Sequence, residues 1–238
     1  MESFCFSIVV PIFNEEKNIK ALFDEINLNL KKIEDDYEII FVDDKSTDNS
    51  QNVIKELLKH RNVKSIVNHK NRGQSFSISS GIKNSTYSTI VTIDGDGQNN
   101  PKDIVKMINL YQSKNYKFLG GIRLNRKDNL VKKISSRIAN SIRSKILNDE
   151  CIDTGCGLKI FDKEVFLSLP YFDGIHRFLP ALFKGFGSNV NFVNVDHRPR
   201  VFGKSKYGVL VRLVRGIFDI IRVLKILKNI QNNKTPLI

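Results

Sequence analysis

The run Thr89-Ile90-Val91-Thr92-Ile93 breaks off at Asp94-Gly95-Asp96-Gly97, and this junction constrains the fold more than any other stretch. The β-branched run has the composition of a buried strand. At a strand's end, residues two apart point to the same side, so Asp94, Asp96 and with them Gln98 can converge on one point. Their ligand atoms are hard oxygens, which suit Mg²⁺ or Mn²⁺ rather than zinc. Gly95 and Gly97 carry no Cβ, so a bulky ligand is expected to approach the backbone closely. Pro101 then fits the first turn of a helix over Lys102–Ser113. An isolated Asp-Gly-Asp-Gly is equally a strand-capping turn; the rest of the chain separates the two.

Further strands are expected at Phe4–Pro11, Glu38–Val42 and Val63–Val67, and a late one at Val190–Val195. Helices are expected from Asn14, read as an N-cap, to about Lys32, over Asn49–His60 after a Ser46-Thr47-Asp48 cap, and over Gln74–Lys83. Strands alternating with helices predict an α/β fold: a mostly parallel sheet with helices on both faces. Ligands on such sheets sit beyond the carboxyl ends of the strands. Glu15, Asp44, Asp94 and Asp96 all fall at such ends. The chain holds no glycine-rich phosphate loop. A bound diphosphate must therefore be neutralised by a metal and by basic side chains.

The chain has 238 residues, 41% of them apolar, enough for a sizeable core, and a net charge of +13. That charge suits a solvated lysine-rich surface, nucleic acid, anionic lipid or a phosphorylated substrate. Three cysteines (Cys5, Cys151 and Cys156) make neither a disulfide framework nor a four-ligand zinc site, so a reducing cytoplasm is expected. No signal peptide is visible, and no apolar run approaches the roughly 18–20 residues that span a bilayer. The Leu130–Leu147 stretch repeats Leu130, Ile134, Ile138, Ile142 and Ile146 beside Lys132, Lys133, Arg137, Arg143 and Lys145, an amphipathic helix with a cationic flank. A second basic stretch, His197–Gly208, interleaves cations with aromatics and glycines, as a loop folded over an anion would. Within Val209–Ile230, Arg212, Arg215, Asp219 and Arg222 fall in one narrow arc and apolar residues occupy the rest. A division follows: a catalytic domain over 1–208 and an amphipathic, membrane-surface segment over 209–238.

Taken together, these stretches resemble the inverting family 2 glycosyltransferases, in the polyprenyl-phosphate branch typified by dolichol-phosphate mannose synthase. The resemblance runs from about residue 6 to about 224. It is carried by Val10-Pro11-Ile12-Phe13-Asn14-Glu15-Glu16, Phe41-Val42-Asp43-Asp44, Asn71-Arg72-Gly73 and Asp94-Gly95-Asp96-Gly97-Gln98. Gly121-Ile122-Arg123, Ser136-Arg137-Ile138-Ala139-Asn140, and Arg198-Pro199-Arg200 with Gly203-Lys204-Ser205-Lys206-Tyr207 complete it. The resemblance implies a Rossmann-like, GT-A-type fold for nucleotide-diphospho-sugars. It implies that Pro11, Phe13, Glu15, Val42 and Asp44 line the base and ribose, and that Asp94, Gly95 and Asp96 sit at the diphosphate. It further implies Asp96 and Gln98 as ligands of Mg²⁺ or Mn²⁺. Arg123, Arg200 and Lys206 would meet donor or acceptor phosphates, and Lys132, Ser136 and Arg137 the lipid phosphate. The sequence departs from the pattern at Phe13, where tyrosine is usual, and at Lys45, where glycine or asparagine is common.

The reaction so implied transfers a sugar from a UDP- or GDP-linked donor to a polyprenyl phosphate with inversion, at the cytoplasmic face of a membrane. The alternative in the same family is transfer to a glycan hydroxyl, which needs a general base. Nucleic acid is not expected as a partner, because the clustered carboxylates would repel its backbone. Membrane attachment through the C-terminal segment competes with packing of that segment on the catalytic domain, with a homo-oligomer and with a separate membrane partner. His176 and Asp153 are candidate sugar contacts; a structural helix start explains His176 equally well. His69 and His197 are expected as loop histidines, and Cys151 and Cys156 as buried thiols.

Overall fold

The computed structural model describes residues 4–31, 36–123, 140–200, 202 and 209–233, with side chains of the last helix described over 216–230. The long basic stretch and the loop after Val201 therefore lie mostly outside the described residues, and with them Lys132, Ser136, Arg137 and Lys206.

The chain alternates β1 (Phe6–Ile12), α1 (Glu16–Leu30), β2 (Tyr37–Asp43), α2 (Ser50–Leu57), β3 (Val63–Val67), α3 (Gln74–Lys83), β4 (Thr89–Thr92) and α4 (Lys102–Ser113). It continues through β5 (Phe118–Arg123), the helical residues 140–147 (α5), β6 (Lys159–Asp162), α6 (Lys163–Ser168), a 3₁₀ turn (Ile175–Arg177), α7 (Leu179–Gly185), β7 (Val190–Val195) and α8 (Val209–Asn233). Among the described residues, seven strands form one sheet in the order β3-β2-β1-β4-β6-β5-β7. Six run parallel; β6 alone is reversed, pairing antiparallel with β4 and β5.

The central strands are apolar on both sides because helices cover both sides. Ile8, Val10, Ile39, Phe41, Val91 and Ile160 pack with α1, α2 and α4. Val9, Ile40, Val42, Ile90, Phe118 and Phe161 pack with α3, α7 and α8 on the other face. The closeness of α3 depends on Gly81, where a Cβ would stand 2.4 Å from Val9 Cγ1.

Several local expectations are corrected. α1 begins at Glu16, and Asn14 is not its N-cap but sits in the left-handed region at φ 56°. Its side chain instead accepts the Thr47 N–H at 2.7 Å, tying the end of β1 to the β2–α2 loop. Asp48 starts both neighbouring helices: its carboxylate accepts the Ser50 N–H at 2.9 Å and the Glu16 N–H at 3.2 Å. Lys45 stands at φ 64°, which accounts for a position where glycine or asparagine is the easier residue. β6 was not expected, since four residues of a reversed strand give too short a run to read.

The two amphipathic segments also differ from expectation. Arg143 does not join a cationic flank: it is buried, donating to Asp149 at 2.5 and 3.0 Å and to the Cys151 carbonyl at 2.7 Å, while Ile142 and Ile146 face outward. In α8, Val223 is fully buried, and Ile220, Ile226 and Leu227 pack beside it. Asp219, placed by sequence on the outward polar arc, is turned inward and pairs with Arg177 at 2.9 Å. The outward face carries Ile217, Phe218, Ile221 and Leu224. No helix among the described residues is long and apolar enough to cross a membrane.

Candidate active site

The carboxyl ends of β2, β1 and β4 lie side by side, so the sheet brings Asp44, Glu15 and the Asp94–Asp96 pair to one rim. Asp44 is buried and accepts the Gly73 N–H at 2.7 Å, the Arg72 N–H at 2.9 Å and the Asn68 amide at 2.8 Å. It thereby fixes the turn that starts α3. Glu15 is also buried and accepts the Asn18 amide at 2.7 Å. Pro11 and Phe13 are half-buried beside it. Val42 has no exposed surface; its side chain is core beneath α3, so the expected contact of that side chain with a base is corrected.

Asp94 hangs from the end of β4 over Gly157, where a Cβ would stand 2.2 Å from the carboxylate carbon. Gln74 donates to its Oδ1 at 2.8 Å. Burial and the neighbouring Asp96 push the Asp94 carboxyl up to about 6, against the pull of Lys159, Arg123 and Arg200. Asp96 accepts the Gln98 N–H at 3.1 Å and an Arg200 guanidinium N–H at 2.6 Å. Arg200 also lies 3.6 Å from Glu15, and these acids hold its pKa above the ordinary arginine value against the opposing effect of burial. The glycines serve differently from expectation. A Cβ on Gly95 would meet Ile12 Cδ1 at 2.4 Å and the Pro11 carbonyl at 3.0 Å, so Gly95 lets the loop lie against β1. Gly97 is required by its φ of 71°.

Arg200 reaches Asp96 because the segment after β7 is stapled to the turn after β4. Asp196 N–H donates to Asp103 at 2.8 Å, Arg198 N–H donates to the Gln98 carbonyl at 2.8 Å, and Asn99 bridges His197. Arg198 itself clamps α1, donating to Glu25 at 2.7 and 3.0 Å. Arg123, at the end of β5, donates to both oxygens of Asp153 at 2.7 Å. Asp153, a candidate sugar contact by sequence, is thus the partner that orients Arg123.

A divalent metal fits the donor set. Two carboxylates whose charges oppose each other are relieved by a hard cation, and such an ion is commonly held by one or two protein carboxylates plus substrate phosphates. Gln98 donates its amide to the Arg198 carbonyl at 3.3 Å, so the atom it would offer a cation is its carbonyl oxygen. Among the described residues, no group of three or more acidic, histidine or cysteine side chains could hold a metal by itself.

Three further residues at this rim were not singled out from sequence: Gln74, Gly157 and Lys159. Lys159 had a readable signal, a lone cation inside Leu158-Lys159-Ile160-Phe161. His176 lies here too. Its Nδ1 is 2.6 Å from Ser75 Oγ, and burial, Lys159 and Arg177 pull its pKa down to about 3. Cys151 and Cys156 are buried thiols pushed up to about 11 by desolvation.

This sheet, with an acid pair at its rim and cations closing over it, defines a glycosyltransferase of the GT-A type. The chain belongs to glycosyl transferase family 2, whose sequence model matches residues 7–169. It is 31% identical over 220 residues to the undecaprenyl-phosphate 4-deoxy-4-formamido-L-arabinose transferase of Yersinia pestis (strain Pestoides F), covering 92% of this chain and 67% of that one. The Yersinia pseudotuberculosis (serotype O:3, strain YPIII) protein of the same description matches at the same level. Among solved structures, Mycobacterium tuberculosis glucosyl-3-phosphoglycerate synthase with phosphoglyceric acid superposes at TM-score 0.69 and 17% identity, covering 94% of this chain and 79% of that one. Its complex with Mn²⁺, UDP and glucosyl-3-phosphoglycerate gives 0.68 and 16%, with the same coverages. At such identities the likeness is one of fold.

Proposed function

We propose that this enzyme transfers a sugar from a UDP- or GDP-linked donor to a polyprenyl phosphate, with inversion at the anomeric carbon. The observation that carries the proposal is the Asp94–Asp96 pair under Arg200, at the end of β4 and beside Arg123. The two curated relatives are described as undecaprenyl-phosphate sugar transferases, which supports a lipid-phosphate acceptor. A phosphate monoester has its second pKa near ~6 and arrives ionised at neutral pH, so the acceptor needs no general base. The protein's task is to let two anions meet. Arg123, Arg200 and Lys206 are assigned to the donor or acceptor phosphates, and Lys132, Ser136 and Arg137 to the lipid phosphate. Pro11, Phe13, Glu15 and Asp44 shape the nucleotide end. Asp96 and Gln98 would hold Mg²⁺ or Mn²⁺ there, and the ion would supply charge neutralisation for the leaving nucleoside diphosphate.

The test is a panel of nucleotide sugars against a short-chain polyprenyl phosphate, with the product read by mass. A glycosyl polyprenyl phosphate is expected, abolished by chelator and by Asp96→Asn. Transfer only to sugar hydroxyls would overturn the acceptor, and full activity of Asp96→Asn the metal ligand.

The same reaction requires contact with a membrane surface, since a polyprenyl tail stays in the bilayer. The outward face of α8 suits the cytoplasmic surface: Ile217, Phe218, Ile221 and Leu224 are exposed, flanked by exposed Lys225 and Lys228. Phe218→Ser with Ile221→Ser should abolish co-sedimentation with anionic liposomes and leave the melting temperature unchanged. Unchanged co-sedimentation would remove α8 as the anchor.

A further inference from the structure

Lys159 is 6% exposed, and among the described residues no carboxylate lies within ion-pair distance of its ammonium. Its one hydrogen bond donates to the Cys156 carbonyl. An ammonium has three donors, so two have no acceptor among the described residues, and an unpaired buried charge costs several kcal/mol. Lysine at a core strand position is therefore a liability for folding.

Its place in the sheet says what it faces. Because β6 is reversed, its first residue lies at the carboxyl end of β4, where Lys159 pairs in register with Thr92. By the two-residue alternation, Lys159 shares the face of Phe161, which packs toward α3 and α7. Its ammonium bonds the carbonyl of Cys156, the neighbour of Gly157, against which the Asp94 carboxylate rests, and its charge also reaches His176. Gln74 bonds Asp94, and its neighbour Ser75 bonds His176, so these groups gather at the start of α3 on the side that Lys159 faces.

His176 enters this group with a defined proton. Ser75 Oγ accepts the Gly174 N–H at 2.8 Å and lies 2.6 Å from His176 Nδ1. Among the described residues, Nδ1 is the one acceptor in reach of the Ser75 hydroxyl, and satisfying that hydroxyl assigns the imidazole proton to Nε2. With a pKa near 3, the ring stays neutral and serves as a fixed N–H donor rather than an acid or base.

The rim therefore has two poles. Asp96, Arg200 and Gln98 make one, suited to the metal and diphosphate. Asp94, Lys159, His176 and Gln74 make the other. Resting on the glycosyl-transfer reading, we infer that Lys159 and His176 form the subsite for the transferred sugar, donating hydrogen bonds to its ring-substituent oxygens while Asp94 accepts from a neighbouring hydroxyl. Lys159 is retained in the core because the sugar supplies the acceptors that the protein withholds.

The test is Lys159→Met, which keeps length and removes the charge. It should raise the melting temperature, because a buried unpaired cation is gone. Calorimetry with Mn²⁺ should show UDP and GDP affinities within twofold of wild type. Affinities for those of UDP-glucose, UDP-N-acetylglucosamine and GDP-mannose that bind wild type more tightly than the bare diphosphate should fall at least tenfold. His176→Asn should lower the same affinities less. A lower melting temperature with unchanged nucleotide-sugar affinity makes Lys159 a strut for Cys156 and overturns the inference. So does an equal loss of UDP or GDP affinity, which puts Lys159 on the diphosphate, or a wild type that gains no affinity from any of the three sugars. A wild type that binds neither UDP nor GDP instead overturns the glycosyl-transfer reading itself.

Discussion

Gly157→Ala tests whether the placement of Asp94 governs the reaction. A Cβ at Gly157 would stand 2.2, 2.3 and 2.5 Å from the carboxylate carbon and oxygens of Asp94, where ordinary contact begins at 3.4 Å. Gly157 is not in the left-handed region, so the substitution acts through space alone. Relief requires a shift of about 1 Å, in the carboxylate or in the start of β6. β6 is held on both edges by β4 and β5, and the Gly157 carbonyl accepts the Thr92 hydroxyl at 2.8 Å. The carboxylate is the softer element: it swings aside and loses Gln74. A crowded core residue costs roughly 1–3 kcal/mol, or a fall of about 2–10 °C in melting temperature for a chain of this size. A 1 Å displacement of a positioning group costs about 100-fold in rate. The variant should therefore melt cooperatively, a few degrees early, and lose about two orders of magnitude in single-turnover transfer. Turnover within twofold of wild type at saturating donor would refute the role given to Asp94.

Asp153→Ala strands the Arg123 guanidinium, whose side chain is 14% exposed, without its bidentate partner, and should cost about 3 kcal/mol in urea unfolding; a loss below about 1 kcal/mol would mean that solvent already stabilises Arg123. His176 gives a pH signature. The unfolded chain takes up a proton near pH 6.5, the folded ring only near 3, so the stability it contributes is complete above 6.5 and is lost as pH falls from 6.5 toward 3. Between pH 7.5 and 5 the wild type should lose about 1–2 kcal/mol more than His176→Asn, and parallel urea midpoints for the two proteins would contradict the buried neutral ring.

The first half of the fold was legible because its signals are local. Alternating apolar runs and helix-forming stretches gave β1 through α4 to within a few residues, and Gln74–Lys83, Lys102–Ser113 and Val190–Val195 to the residue. Asn14 misled because an Asn before an acidic turn reads as a cap, whereas tertiary bonds to Ser46 and Thr47 hold it at φ 56°. The acid pair was legible from its spacing. What closes over it was not: Arg200 meets Asp96 across 104 positions of chain, through staples to the turn at 98–100 that no local pattern encodes. Periodicity placed the Arg143 and Asp219 arcs outward, yet it cannot tell which face of a two-sided helix finds a partner carboxylate or guanidinium.

The one reversed strand does most to build the site. A purely parallel sheet delivers to its catalytic rim only loops that leave strands. β6 adds a loop that enters one, residues 153–158, and its own first residue, Lys159. From these come Asp153, which orients Arg123, Gly157, whose bare Cα seats Asp94, and Lys159, whose charge reaches Asp94 and His176. Because these positions are rigidly spaced by β6 between β4 and β5, Arg123, Asp94 and Lys159 are set relative to one another by sheet register rather than by loop conformation. Register cannot slip by one residue without turning Lys159 into the α1–α4 core and Ile160 into the rim. The geometry around the donor is thereby tied to the stability of the sheet itself, and a lysine that weakens the core stays where the sugar is read.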